Sequence, residues 1–545
     1  MFIKEMTGTN KKYLYLTRAA RDGKKVKHEN LVSFGAIDEL NENEIKKIAI
    51  KLLSYCKSYE AAVPLSQIAE ECRQNWGGMA ITKKLLELFD INGLVNKLLD
   101  GRKIKIDVLG IINFLITERL ADPKSKYASY KNQSWYIQNP VIDLQNIYRT
   151  LDFLAENIDP IKQHIFEKQK KLFNLDVSVV FYDVTTLYFE SKKEDDLKKF
   201  GYSKDCKFGD VQVVAGALID KTGRPLDYEV FCGNTYEGHT LKNFIDRIKA
   251  KFNISEVIVV CDRGINSAEN LTHILDAGEG FNFIVGHRLR TAKEKIKTEA
   301  LSDNNYINIS KNKDEILKYK ILDIERDIVT EKNEKKKIKD QIVVTYSSKR
   351  ARKDKADRER LIEKAKEMAD SPSYVNNKRG AKKYLNVKIG SVELDNDKIT
   401  DDSKWDGYYS IEFSKKSLSA SEVLDAYHSL WRIENLFRTL KTQLEARPIF
   451  HWTPSRIQGH FCLCFMALVL ERTIEIECQK KFEETSPTSI REAINSLQVS
   501  RVSAENKSYY IFSKISDYAQ AILDIVKIKA PPPILQAGEP MKYLM

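Results

Sequence analysis

The chain has 545 residues, 42% hydrophobic and 30% charged, a globular balance that excludes disordered and fibrous classes and allows roughly three or four domains. Lys and Arg number 89 against 77 Asp and Glu, a formal charge of +12 that suits a polyanionic partner. No apolar run reaches the roughly 18–20 residues of a membrane span, and the charged start Met1-Phe2-Ile3-Lys4-Glu5 lacks the apolar core of a signal peptide.

The first forty residues mix short β-like runs, such as Lys12-Tyr13-Leu14-Tyr15-Leu16, with a basic turn at Arg21-Asp22-Gly23-Lys24-Lys25. Residues 41–75 read as a helix. From about 79 to 170 the apolar period is helical, with stripes at Leu85, Leu86 and Phe89 and at Val108, Ile111, Ile112 and Leu115. Asp122-Pro123 breaks the second stripe.

The pattern changes near residue 175. Val177 to Val184 is β-branched and aromatic and reads as a buried strand. Val211–Ile219 and Pro225–Cys232 flank a turn at Asp220-Lys221-Thr222-Gly223, which predicts a hairpin. Thr240–Phe252 is an amphipathic helix and Glu256–Asp262 a strand. Ser267 is the expected N-cap of a helix ending near Gly278, and Phe281–Gly286 is a further strand. The order β-β-β-α-β-α-β predicts a mixed α/β sheet.

Residues 291–405 are lysine-dense and read as an insertion in this domain, with short strands such as Gln341–Tyr346 and a charged helix over Lys353–Met368. Tyr408–Phe413 is a strand, Ser421–Leu444 one long helix, and residues 455–480 another. The tail after 485 reads as helical. Eight cysteines form no C-x-x-C pair. His460-x-Cys462-x-Cys464 lies in an apolar helical run and is expected to hold buried, reduced thiols, as in a reducing cytoplasm.

Two aspartates, Asp183 and Asp262, stand at the carboxyl ends of expected buried strands, where open α/β sheets bind ligands. Asp is also a common turn residue, but the flanks Val184-Thr185-Thr186 and Arg263-Gly264 are not generic turn clusters. A third carboxylate is offered by the long helix. Tyr427, Glu434 and Lys441 are spaced seven apart, nearly two turns, which predicts one shared face with about 10.5 Å between neighbours. The plain alternative is an amphipathic helix with a Glu434–Arg438 surface pair.

At these residues the sequence resembles a known family. Tyr427-His428-Ser429-Leu430-Trp431-Arg432-Ile433-Glu434, followed by Phe437-Arg438-x-Leu440-Lys441, is similar to the signature helix of insertion-sequence DDE transposases, whose pattern is Tyr, two residues, Arg, three residues, Glu, six residues, Lys. Phe181 to Thr186 and Val259 to Gly264 resemble the family's other acidic motifs, and Gly233-Asn234-Thr235-x-Glu237-Gly238-His239-Thr240 resembles a further common stretch. One departure stands out: Leu430 occupies the signature Arg position, and Arg432 points about 200° away around a helix.

The resemblance implies an RNase H-like catalytic fold and a metal-dependent DNA endonuclease and strand-transfer activity. It assigns Asp183, Asp262 and Glu434 as catalytic metal ligands for two Mg²⁺ ions, with Mn²⁺ as a substitute. Mutually repelling carboxylates stay ionised when cations neutralise them, and two divalent ions suit in-line displacement at phosphorus. Tyr427, Lys441, Arg438 and Arg263 are the implied DNA contacts. In hairpin-forming relatives a Trp of the insertion stacks on a flipped base; Trp405 is the nearest candidate, with Tyr408 or Tyr409 as alternatives.

The expected organisation is a mainly helical, DNA-end-binding region over 1–170, a first part of the catalytic core over 175–290, a lysine-rich insertion over 291–405, a second part with the Glu-bearing helix over 406–480, and a helical, dimerising tail over 481–545. The expected partners are double-stranded DNA, as element terminal repeats and target, and a second copy of the chain in a paired-end complex. No membrane is expected, and the place is a prokaryotic, nucleoid-associated cytoplasm. The competing readings are a DNA-binding relative without catalysis and a nuclease of the same fold without strand transfer.

Overall fold

The computed structural model describes the chain apart from residues 23–24, 54, 56–68, 138–140, 205–206, 208, 251, 253, 311–314, 330–334, 370–379, 389–390, 505–506 and 538–545. The middle of the basic turn expected at Gly23-Lys24 therefore lies outside the described residues.

The chain begins with an antiparallel sheet of β1 (Phe2–Thr7), β2 (Lys12–Asp22) and β3 (Lys25–Ala36), so the short β-like runs are parts of long strands. Helix α1 (Glu42–Leu53) follows. The helix expected over 41–75 does not reach its end: Ala69–Asn75 is strand β4, although Glu70, Glu71 and Arg73 are not strand formers. Pairing within a sheet overrides intrinsic preference there.

Next come α2 (Gly77–Leu88), α3 (Ile91–Leu99), α4 (Val108–Ala121), α5 (Lys126–Asn132), α6 (Leu144–Glu156) and α7 (Ile158–Phe173), in the region where the period is helical. The central segment is β5 (Val179–Tyr188), β6 (Gln212–Asp220), β7 (Pro225–Cys232), α8 (Leu241–Ala250), β8 (Val257–Cys261), α9 (Ala268–Asp276) and β9 (Phe281–Gly286), the order read from the sequence. Ser267 caps α9, its side chain accepting from Asn270 N.

Residues after β9 form α10 (Glu294–Leu301), β10 (Ile307–Asn308), β11 (Leu317–Val329), β12 (Lys335–Ser347), α11 (Ser348–Ala369), β13 (Leu385–Lys388), β14 (Ser391–Leu394), α12 (Asn396–Ser403) and β15 (Tyr408–Phe413). Then follow α13 (Ala420–His428), α14 (Trp431–Arg438), α15 (Pro454–Gln479), α16 (Pro487–Ser496), β16 (Gln498–Ala504), β17 (Lys507–Phe512), α17 (Asp517–Ile525) and β18 (Ile534–Gln536). The last residues are thus not wholly helical. The aromatic run Tyr509-Tyr510-Ile511-Phe512 forms a strand, as its β propensity favours.

The chain divides into two compact units: Met1–Arg73, Ser500–Ile511 and Pro533–Pro540 in one, and Gln74–Val499, Phe512–Pro532 and Met541–Met545 in the other. The larger unit is built on a nine-stranded mixed sheet of order β10-β11-β12-β15-β9-β8-β5-β6-β7. Strands β5, β8 and β9 run parallel, and the remaining neighbours whose register is resolved are antiparallel. The lysine-rich insertion is therefore continuous with the central sheet, because β12 pairs with β15 over Gln341–Tyr346 and β15 with β9. One face of the sheet packs Val180, Tyr182 and Val184 of β5 with Phe244, Ile245 and Ile248 of α8 and Leu271 and Ile274 of α9. Among the described residues, no helix is long and apolar enough to cross a membrane.

Helix α15 is buried around most of its circumference, which explains its apolar run. Cys462 and Cys464 are buried within it, and burial pushes the Cys462 thiol up to about 12. The described cysteines are free, as expected for that segment.

Two consequences of α15 are measurable. A Cβ on Gly459 would stand 1.9 Å from the Leu151 carbonyl oxygen of α6. Gly459→Ala is expected to destabilise the protein by about 3 kcal/mol through overpacking, read as a lower urea midpoint; an unchanged midpoint refutes this close crossing. Glu471 is 3% exposed and neither carboxylate oxygen has a hydrogen-bond partner among the described residues. Burial, then the Glu475 charge, raise its pKa far above the ordinary 4.5. The folded state therefore keeps a proton that the unfolded state has lost, and this group's contribution falls as pH rises above that ordinary value. Glu471→Gln should gain thermal stability over the parent with increasing pH, measured from about pH 5 to about pH 8; a pH-independent difference counts against this.

Candidate active site

The two aspartates meet through strand register. Val179, Val180, Phe181 and Tyr182 of β5 pair in parallel with Ile258, Val259, Val260 and Cys261 of β8. Strand β8 stops at Cys261, so Asp262 leaves the sheet beside Asp183, on strands about 4.8 Å apart. Asp183 is not at a strand end as expected: β5 continues to Tyr188, held by pairing with β6 on its other side. What ends at Asp183 is the parallel neighbour. Residues of its parity face away from the cluster under α8 and α9.

Burial is the largest cause that pushes the Asp183 carboxyl up to about 6, and the charges of Asp262 and Glu237 add to it. The Lys204 ammonium and the Val184 amide, which donates to Oδ1 at 2.7 Å, oppose the rise. Asp262 is exposed. Its Oδ1 accepts from the Tyr427 hydroxyl at 3.1 Å, and the Tyr409 and Tyr427 hydroxyls are 2.5 Å apart. Burial, with Tyr409 and Asp262 beside it, holds the Tyr427 phenol far above its usual range, so it remains a donor. Arg350 of α11 lies over the Tyr409 ring at 4.6 Å. Gly286, at the end of β9, leaves room for this chain: a Cβ there would be 2.6 Å from the Tyr427 hydroxyl.

The signature segment departs from one long helix. It breaks after His428, resumes at Trp431 as α14, and ends in a π turn over Thr439–Gln443. The Ser429 hydroxyl donates to the Asp425 carbonyl at 2.9 Å, and Arg432 N bonds back to Ser429 O three residues earlier at 3.1 Å. Such side-chain bonding and tightening to i−3 bend a helix. Tyr427, Glu434 and Lys441 therefore do not follow one straight face. Tyr427 reaches Asp262, Glu434 is exposed in the first turn of α14, Arg438 is exposed at its end, and Lys441 is half-buried on the π turn. Leu430 is buried at the break. Helix α14 packs against β5, the strand of Asp183. The far end of the segment is tied down by Arg119 of α4, which donates to the Leu444 and Glu445 carbonyls at 3.0 Å each.

Arg263 is exposed directly after Asp262 and lines a cleft of about 500 Å³ with Arg288, Arg350, Trp405 and Tyr409. Trp405 is 7% exposed and belongs mainly to a core formed with Leu289, Leu322, Ile324, Ile342 and Val344. Of the three aromatic candidates, Tyr409 is the one bonded into the Asp262 network.

Asp183 and Asp262 are hard-oxygen donors on adjacent strands, a donor pair that suits Mg²⁺. Among the described residues, no group of three or more His, Cys, Asp and Glu side chains stands close enough to hold a metal ion; Glu434 is exposed on the helix that packs against β5. Sequence reasoning passed over Lys204, whose ammonium bonds the Val184 carbonyl and Glu237, each at 2.8 Å. Glu237 lay in a noted motif without a role; Lys204 carried no signal, as it comes from the long β5–β6 loop.

Gly286→Ala should displace Tyr427 from Asp262 and lower any reaction rate that depends on this carboxylate pair roughly tenfold or more, the worth of a hydrogen bond to a charged group. The measurement is that rate beside thermal stability; an unchanged rate removes Tyr427 from the site.

Among solved structures, a piggyBac transposase synaptic complex with hairpin DNA is similar at TM-score 0.37 and 9% identity, covering 79% of this chain and 81% of that one. A Mos1 transposase paired-end complex with the left transposon end is similar at TM-score 0.14 and 13% identity, covering 34% of this chain and 60% of that one. No curated protein matches the chain. The family model described as a transposase DDE domain matches residues 175–470, over half of the 545 residues and the span that holds Asp183, Asp262 and Glu434. The chain belongs to the DDE transposase family.

Proposed function

We propose that the chain is an insertion-sequence transposase that hydrolyses phosphodiester bonds at the element's ends and transfers the freed strand into target DNA. The observation that carries this reading is the β5–β8 register, which sets Asp183 and Asp262 side by side with the Tyr427 hydroxyl on Asp262. Asp183 and Asp262 would hold Mg²⁺, or Mn²⁺ in its place, and Glu434 on the helix packed against β5 is the third acid of the reading. Bound divalent ions supply neutralisation of charge on the attacking and leaving oxygens.

The protein's own groups do the rest. Tyr427 holds the Asp262 carboxylate in one orientation. Arg263, exposed beside it, offers a bidentate phosphate donor, and Lys441 and Arg438 offer cations along the same segment. Tyr409, in the cleft with Arg263 and joined to Tyr427, provides a ring for an unstacked base in place of the mostly buried Trp405. Residues 1–170 are assigned to reading the element's ends, and the lysine-rich insertion to contacts with the DNA backbone. Joining two ends requires two copies of the chain, with the tail over 481–545 as the proposed dimerising part.

The test uses purified protein and its gene with native flanking DNA, in Mg²⁺ and in EDTA, beside Asp183→Asn, Asp262→Asn and Glu434→Gln. Breaks at fixed positions outside the gene are expected, followed by joined products. Each variant should lose roughly a thousandfold in rate, about 4 kcal/mol of transition-state stabilisation. Salt-sensitive binding without cleavage would establish the binding protein instead. Cleavage without joining would establish the nuclease.

A further inference from the structure

We propose that Lys204 is a built-in counter-ion of the acidic centre, positioned by Glu237, that holds the charge of the Asp183 side in balance before any divalent ion or DNA phosphate arrives. The proposal rests on the reading of Asp183 and Asp262 as that centre.

Three segments converge on the ammonium. Lys204 Nζ donates to the Val184 carbonyl, next to Asp183 in β5, at 2.8 Å. It also donates to Glu237 Oε1, at the start of the turn before α8, at 2.8 Å. The Lys204 backbone amide donates to the Thr186 hydroxyl at 3.1 Å, which fixes the loop on the same strand. Glu237 is in turn close to the loop after Asp262: a Cβ on Gly264 would be 3.3 Å from its Oε2. The pair therefore links the Asp183 strand to the Asp262 loop. Both side chains are about a third exposed, 34% and 31%.

The arrangement is more than a surface salt bridge. Such a pair in open water is worth little. Here the ammonium is also bonded to the backbone next to Asp183, and the acids that act on Asp183, namely Asp262 and Glu237, outnumber it. Without Lys204, the repulsion between the like charges on adjacent strands is left to the hydrogen bonds from the Val184 amide and the Tyr427 hydroxyl. With it, the site has a fixed cation that never dissociates. Lys204 thus competes electrostatically with a divalent ion for Asp183, and its charge adds to the attraction of an incoming phosphate. Lys204 acts through Asp183 and is a positioning residue; Glu237 acts through Lys204.

The opposite signs expected for the two residues make this testable. Mn²⁺ binding to the full-length protein without DNA is measured by titration, with cleavage of the flanking DNA measured separately. Lys204→Met should bind Mn²⁺ about threefold to tenfold more tightly, since one repelling charge is gone, while kcat for cleavage falls and KM for DNA stays near the parent value. Lys204→Arg, which keeps the charge, should restore both. Glu237→Gln should bind Mn²⁺ more weakly. A merely structural pair would lower thermal stability and weaken Mn²⁺ binding in all the variants alike; that outcome, or unchanged Mn²⁺ affinity in Lys204→Met, overturns the proposal. Should Lys204→Met not fold, Lys204→Gln serves with the same expectations. Asp183→Asn is measured alongside. If Asp183→Asn binds Mn²⁺ as the parent does, the reading of the centre has failed and this proposal with it. If Asp183→Asn abolishes binding while Lys204→Met changes nothing, only the counter-ion proposal has failed.

Discussion

Two carboxylates held on neighbouring strands are the constraint around which the larger unit is arranged. Strand β5 outlasts its parallel partner β8, so Asp183 and Asp262 are placed together by backbone hydrogen bonds that neither side chain controls. Their repulsion is costly in a half-buried setting. The surroundings offset it with the Val184 amide and Lys204 at Asp183 and the Tyr427 hydroxyl at Asp262. A rigid sheet supplies the positions, and loops and a bent helix supply the charge balance.

The insertion is part of that arrangement. Its long hairpin β11–β12 extends the central sheet through β15, and its helix α11 sends Arg350 over Tyr409, which touches Tyr427. A continuous path of contacts therefore runs from the lysine-rich segment to Asp262. The helices before the sheet bear on the signature segment, where Arg119 of α4 holds the carbonyls at its end. Glu434 rides on a piece of chain fixed at Tyr427 on one end and at Leu444 on the other.

Much of this was legible in the residues. The β-branched runs at 177–184, 256–262 and 281–286 mark the parallel strands because a strand buried on both faces must be apolar throughout. The capping serine at 267 and the apolar stretch of α15 were equally direct. The helix break at Ser429-Leu430 was not legible, because a sequence period persists through a bend that arises from one hydroxyl bonding a carbonyl. Strand β4 was also hidden, since Glu and Arg favour helices and pairing overrode them. Trp405 looked like a base-stacking ring and is mostly core, because aromatic identity does not report which side of a strand or turn is covered.

The sequence by itself determined the order of strands and helices, the positions of the three acids along the chain, and the family that their motifs resemble. These are local properties, written in periodicity and in short spacings. Only the tertiary structure decided which charges share a site. It put Asp183 beside Asp262, left Glu434 exposed on α14, and brought Lys204 and Glu237 to the pair from separate loops. The reason is that electrostatic neighbours are set by strand register and loop closure across some 80 residues of chain from Asp183 to Asp262, and no local pattern encodes that distance.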